Sequence, residues 1–134
     1  MAKLEAFEDI SPTYAEKLRA AGIRTLEALY RAGATPRGRR ELAKRTGISS
    51  KQILTWVNRA DLRRFRGVGH DYGGLLEHIG INAVAQLAVR DPGDLYEEIV
   101  EVNEKKNLVD RPPSLRLVTR WVEQARLAPQ IAHN

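Results

Sequence analysis

The chain of 134 residues contains no cysteine. Disulfide bridges, thiolate metal ligands and a thiol nucleophile are therefore excluded. Histidine is scarce as well, with only His70, His78 and His133 in the sequence. His70 and His78 lie about two helical turns apart, which is too far for one metal ion without further ligands. We expect surface histidines and no metal site.

Long apolar runs and catalytic motifs are also missing. Lys3, Glu5, Glu8 and Asp9 stand where a signal peptide would need an uninterrupted apolar stretch, and no later run approaches membrane-spanning length. There is no HExxH, no GxxxxGKS phosphate-binding loop and no meaningful Ser-His-Asp grouping. The expectation is a cytoplasmic protein that is not an enzyme, with no cofactor, small-molecule substrate or membrane partner.

The composition that remains is that of an ordinary globular protein, with 43% hydrophobic and 29% charged residues. Its net charge of +5 is unevenly distributed. Residues 1–66 hold 15 lysines and arginines against 7 carboxylates, a net charge of +8, whereas residues 67–134 have a net charge of −3. Such a basic half can meet an anionic polymer or an acidic protein surface, including the acidic half of another copy.

Sliding the chain along itself reveals an internal repeat. A shift of 58 positions superimposes seven apolar or glycine positions, six of them identical: Phe7, Ile10, Tyr14, Leu18, Gly22, Ile23 and Leu29. A shift of 65 places Trp56-Val57 on Trp121-Val122, so an insertion of seven residues falls around positions 103–113. The sequence therefore predicts two diverged copies of one unit, residues 1–64 and 65–128, with a loose tail over residues 129–134.

Each copy reads as four helices and no segment alternates with the period of a strand, which predicts an all-α fold. Helix starts are indicated by Ser11-Pro12, Thr25 and Thr35-Pro36, and a fourth by Ser49 or Ser50. Gly22, Gly33 and Gly47 are the expected ends. The second copy predicts helices near residues 70–79, 83–89, 92–105 and 114–127. The tryptophans and the paired tyrosines, Tyr14 and Tyr72, are expected to pack in the core.

The segment from Phe65 to Ile81 contains two glycines, Gly67 and Gly69, that flank an apolar residue, Val68. Such glycines permit a tight turn with positive φ, and the N–H groups of the turn and of the following helix can face a phosphate. The segment resembles the helix-hairpin-helix motif. With its duplication, the chain is similar to the bacterial domain-of-unknown-function family numbered 4332, built of tandem helix-hairpin-helix-like units.

That resemblance implies two four-helix repeats packed as one pseudo-twofold domain of the SAM/helix-hairpin-helix-like type, and it suggests nucleic-acid binding from the broader motif. Two departures stand out. In the first copy Asp9 and Ser11 replace the hairpin glycines, and Asp9 would repel a phosphate. In the second copy Asp71 stands where the motif commonly has lysine. Either hairpin can therefore also be a purely structural turn.

Clustered basic residues carry the leading functional hypothesis, which is sequence-independent binding of a DNA or RNA backbone. Arg37, Arg40 and Lys44 share one side of the third predicted helix, with Arg39 and Arg45 flanking them. The predicted nucleic-acid contacts are Arg37, Arg39, Arg40, Lys44, Arg59, Arg63, Arg64, Arg66, Gly67 and Gly69. These arginines can equally form a solvated surface without a ligand.

An alternative hypothesis uses the acidic second copy, where carboxylates cluster between Asp91 and Glu104. That cluster can be an ordinary solvated helix face. It can also present a surface to a basic protein partner or to a second copy of the chain, which makes the protein an interaction or self-association module.

Overall fold

The computed structural model describes residues 3–7 and 9–128. In these ranges the chain forms a short 3-10 helix and eight α-helices, and its β-pairing is limited to an isolated antiparallel bridge between Lys3 and Thr25. The predicted all-α fold is confirmed. The tail over residues 129–134, including His133, lies outside the described residues.

The eight α-helices have the bounds α1 (Pro12–Ala20), α2 (Leu26–Gly33), α3 (Pro36–Thr46), α4 (Ser50–Arg63), α5 (Gly69–Ile79), α6 (Val84–Ala88), α7 (Pro92–Lys106) and α8 (Leu115–Leu127); the 3-10 helix is Leu4–Ala6. Each lies within about two residues of a helix expected from the sequence. The 3-10 helix was not expected.

Side-chain caps begin all four α-helices of the first half as the sequence predicts. The hydroxyl oxygens of Ser11, Thr25, Thr35 and Ser49 accept hydrogen bonds from backbone N–H groups three residues further on. Gly47 ends α3 in the left-handed region, with φ of +74°.

Gly33 ends α2, as the sequence predicts, and is buried. A Cβ atom on Gly33 would lie 2.6 Å from Cγ2 of Val57 and 3.2 Å from Cγ2 of Ile53. Glycine is therefore required there because the α2 backbone lies directly against α4.

The second half begins its helices less uniformly. The side chains of Asp91 and Ser114 cap α7 and α8, whereas no side chain caps α5 or α6. Between α7 and α8 the chain is held by Asn103, whose side chain donates to the carbonyl of Val109 at 3.0 Å and accepts from its N–H at 2.9 Å. This loop occupies the region of the predicted insertion.

Contacts divide the chain into two compact units, with the described residues through Ala60 in the first and those from Asp61 in the second. Each unit has a separate apolar core built around one fully buried tryptophan, Trp56 or Trp121. The expected burial of both indoles is confirmed. The sequence had predicted the boundary four residues later, between residues 64 and 65.

The cores of the two units contain matching aromatic pairs. In the first, the rings of Tyr14 and Trp56 meet edge to face, with 5.2 Å between centroids. In the second, Tyr72 and Trp121 meet at 5.5 Å. Both pairs occupy positions that the two sequence shifts superimpose, and the rings meet at interplanar angles of 71° in the first unit and 56° in the second.

Candidate nucleic-acid interface

In the first unit, α3 presents three cations to solvent. Arg37, Arg40 and Lys44 are all exposed and follow one another at helical spacing. Arg37 Nε donates to Glu41 Oε1 at 3.4 Å, and both side chains remain largely exposed. Such a pair is weak in water, so Arg37 remains available to another anion.

Arg39 is not part of this exposed surface. Only 2% of the residue is exposed, and its Nη1 donates to the carbonyl of Gly33 at 2.8 Å. Burial lowers the pKa of Arg39, and the nearby positive charge of Arg40 contributes to the same shift. Arg39, predicted to contact a nucleic acid, is thus buried, and its guanidinium binds the carboxyl end of α2.

Arg45, expected to flank the basic face, also makes an internal contact. Its Nη2 donates to the carbonyl of Ala21 at 2.6 Å, close to the end of α1. The carbonyl groups at a helix end have no partner within the helix, so a guanidinium there is stabilising. Arg39 and Arg45 thus fasten neighbouring helices to α3.

Asp9 and Arg59 form an ion pair in the first unit. Arg59 Nη1 donates to Asp9 Oδ2 at 2.7 Å, and the same oxygen accepts from Trp56 Nε1 at 3.2 Å. The carboxylate thus satisfies the buried indole and neutralises the arginine. Arg59, predicted to contact a nucleic acid, is occupied by this internal acceptor.

Arg63 is likewise engaged inside the second unit. Its Nη2 donates to Glu77 Oε2 at 3.0 Å and its Nη1 lies 2.8 Å from His70 Nδ1, with 13% of the side chain exposed. A Cβ atom on Gly73 would lie 2.7 Å from Cγ of Arg63, so the arginine lies directly against α5. Arg63, predicted to contact a nucleic acid, is therefore engaged by internal partners.

Arg64 and Arg66 are exposed, as expected. Arg64 Nη1 lies 3.6 Å from Asp61 Oδ1, and an ion pair at this distance is weak. Arg66 borders a shallow groove with Arg120, Gln124 and Glu123. Arg120 was not among the predicted contacts, although its spacing of four from Arg116 on the exposed side of α8 could have indicated it.

Between α4 and α5 lies the glycine hairpin. Val68 N–H donates to the carbonyl of Phe65 at 3.1 Å, Gly67 and Gly69 have φ of +86° and +62°, and Val68 is buried. The expected positive φ angles and the inward-pointing valine are confirmed. The exposed glycines leave the backbone open to solvent at the amino end of α5, where an anion is favoured.

The sequence matches the family described as Domain of unknown function (DUF4332) over residues 8–128. The chain belongs to this family. Searches of curated proteins and of solved structures gave no significant match. The DUF4332 domain thus extends across both compact units.

Other candidate chemistry in the DUF4332 domain is limited. Among the described residues no three histidine, cysteine or acidic side chains are grouped to hold a metal ion, and no helix is long and apolar enough to cross a membrane. His70 and His78 are exposed, as expected. On α7 the acidic run is partly neutralised, because Glu98 pairs with Arg90 and Glu101 with Lys105.

Proposed function

We propose that this DUF4332 domain is a cytoplasmic, non-enzymatic module that binds the backbone of nucleic acids without regard to sequence. Phosphate contacts from lysine and arginine supply such binding, and they make it steeply dependent on salt. The hairpin between α4 and α5 serves in this proposal as a helix-hairpin-helix element.

One observation carries the proposal. Arg40 and Lys44 lie side by side on α3, exposed, and no carboxylate of the described residues forms an ion pair with either. Most other arginines of the first unit are held by an internal acceptor, as Arg39 and Arg59 are. Arg40 and Lys44 therefore form a cationic surface that is not required by the packing of the unit.

The second unit adds a separate set of contacts. Arg66 and Arg120 border one groove and are exposed, and no ion pair of either is found among the described residues. Arg66 directly precedes the hairpin, whose glycines let a phosphate approach the backbone closely. This surface replaces the cluster that the sequence had centred on Arg59 and Arg63.

The rival role, a protein-interaction module that uses the acidic face of α7, is less well supported. Two of its carboxylates already have cationic partners at 2.6 and 3.2 Å, which reduces the charge offered to a partner. The protein-interaction role becomes the preferred one only if the domain binds no duplex.

The test is the binding of a fluorescein-labelled, mixed-sequence DNA duplex, followed by anisotropy at low salt and at stepwise higher salt. We expect binding at low salt that weakens about tenfold when the salt concentration is doubled. The double variant Arg40→Gln/Lys44→Gln is expected to bind at least several-fold more weakly than the wild type, because two phosphate contacts are lost.

The matched control is Arg24→Gln/Arg31→Gln, which removes the same charge from exposed positions outside the proposed surfaces. It is expected to change affinity much less. Absence of binding at low salt contradicts the proposal. Equal losses in both double variants would show that net charge, and not the α3 surface, determines the affinity.

A further inference from the structure

The hairpins of the two units contain the same kind of turn, but they differ in the hydrogen bonds that their side chains accept. In both, an N–H donates to the carbonyl three residues earlier at 3.1 Å: Ile10 to Phe7 in the first unit and Val68 to Phe65 in the second. The third residue of the turn is Asp9 in the first unit and Gly67 in the second. The carboxylate that accepts from the indole of the first unit therefore has no counterpart in the second.

The consequence is visible at Trp121. This residue is fully buried, and its Nε1 has no hydrogen-bond acceptor among the described residues. A Cβ atom on Gly67 would lie 3.5 Å from that nitrogen. The indole N–H thus lies next to an exposed glycine. A buried donor without an acceptor is unfavourable and calls for an explanation.

A second acceptor is lost two residues later. Ser11 Oγ accepts from the N–H of Tyr14 at the start of α1. Its counterpart in the second unit is Gly69, and no side chain caps the amino end of α5. The first-turn N–H groups of α5 therefore lack the side-chain acceptor that α1 has.

The charges around the second hairpin are balanced. Arg66 and Arg120 border one groove, which Glu123 also lines. Arg111, Asp71 and Asp110 line the groove at the hairpin itself. Three arginines thus face three carboxylates, so the case for an anion rests on the donors that lack an acceptor and not on net charge.

We infer that a phosphate group of the bound nucleic acid docks on the second hairpin and accepts hydrogen bonds from Trp121 Nε1 and from the first-turn N–H groups of α5. The phosphate takes the part that Asp9 plays in the first unit, where the carboxylate also keeps a phosphate away. Only the second hairpin therefore binds the backbone. This inference rests on the proposed function.

The side chain of Leu117 lies beside Gly67. Its Cδ1 lies 2.8 Å from the position of a Cβ atom on Gly67, and the side chain is half-buried. The end of this flexible side chain turns aside when an oxygen reaches Nε1. Docking is therefore accompanied by a change in the environment of the Leu117 methyl groups.

The two tryptophans, the only ones in the chain, provide a reporter and an internal control. In ¹⁵N–¹H spectra of the full chain, titration with a short duplex is expected to move the indole resonance of Trp121 and the amide resonances of Gly69 and His70. The indole resonance of Trp56 is expected to stay in place, because Asp9 already accepts from it. Titration with inorganic phosphate should reproduce the Trp121 shift at higher concentration.

A pair of charge-neutral variants tests the same point by affinity. Trp121→Phe removes the indole N–H and is expected to weaken duplex binding about three- to tenfold, whereas Trp56→Phe is expected to leave it within twofold. Circular dichroism establishes that both variants fold. If Trp121→Phe does not fold, the wild-type titration alone decides the question.

Failure of this inference is distinct from failure of the proposed function. Salt-dependent duplex binding with an unmoved Trp121 resonance overturns the hairpin site and leaves backbone binding intact. Absence of duplex binding overturns the proposed function, and a Trp121 shift with inorganic phosphate alone would then support a phosphate site of another use. If neither the duplex nor inorganic phosphate shifts the indole resonance of Trp121, the inference is wrong.

Discussion

Three arginines show how one residue type serves different ends in this domain. Arg39 is buried and caps a helix, Arg63 lies against α5 with Glu77, and Arg40 is exposed. Arg39 and Arg40 are neighbours in the sequence, and helical geometry turns their side chains about 100° apart. The sequence predicted a basic face on α3, but the burial of Arg39 depends on α2, whose position the pattern of charges does not encode.

That contrast makes a prediction for Arg39 and Arg40. Arg39→Met keeps the apolar stem but removes the donor to the carbonyl of Gly33, leaving a buried acceptor unsatisfied. We expect a loss of about 1–3 kcal/mol in the free energy of unfolding, measured by urea denaturation. Arg40→Met should change stability by less than about 0.5 kcal/mol.

Duplex binding should respond in the opposite order, weakening in Arg40→Met and changing little in a folded Arg39→Met protein. A reversed ranking in either measurement would contradict the assignment of Arg39 to structure and of Arg40 to the surface.

At the scale of elements, the sequence predicts best where local chemistry decides. Ser11, Thr25 and Thr35 were expected to cap helices and do so, because an N-cap needs only its own side chain and the next turn. The approach of α2 to α4 at Gly33 could not be predicted, since it depends on residues distant in the sequence. The role of Asn103 could not be predicted either. It forms hydrogen bonds with Val109 in the loop between α7 and α8, which the sequence repeat identifies only as an insertion.

We predict that Asn103 holds the loop between α7 and α8. Asn103→Ala removes both hydrogen bonds to Val109 and leaves two buried backbone groups without partners. The expected loss is about 2–3 kcal/mol in the free energy of unfolding. Hydrogen exchange should become faster at the N–H of Val109, because this group donates a hydrogen bond to Asn103 Oδ1 in the wild type.

The neighbouring variant Glu104→Ala is the control, because Glu104 is exposed on the same helix. It should leave both the stability and the exchange of Val109 nearly unchanged. Equal protection of Val109 in Asn103→Ala and wild type would show that the loop is held by other contacts.

For the whole molecule, net charge overstates the capacity to bind a polyanion. Residues 1–66 have a net charge of +8, yet Arg39, Arg59 and Arg63 are committed to internal acceptors. The candidate surface is reduced to Arg40 and Lys44 in the first unit and Arg66 with Arg120 in the second, together with the weakly paired Arg37 and Arg64. The charges of the sequence indicate a basic first half but not this subset, because internal ion pairs form only in the fold.

The salt dependence of duplex binding distinguishes these two descriptions. Eight phosphate contacts would give a slope of log K against log salt of about −7, whereas the four proposed contacts, Arg40, Lys44, Arg66 and Arg120, give about −4. We expect the smaller value from anisotropy titrations of the wild type. Arg40→Gln/Lys44→Gln and Arg66→Gln/Arg120→Gln should each bring the slope about 2 closer to zero if both units engage the same duplex. If only one pair changes the slope, the duplex is bound by that unit alone, and a wild-type slope near −7 would mean that the internal pairs open on binding.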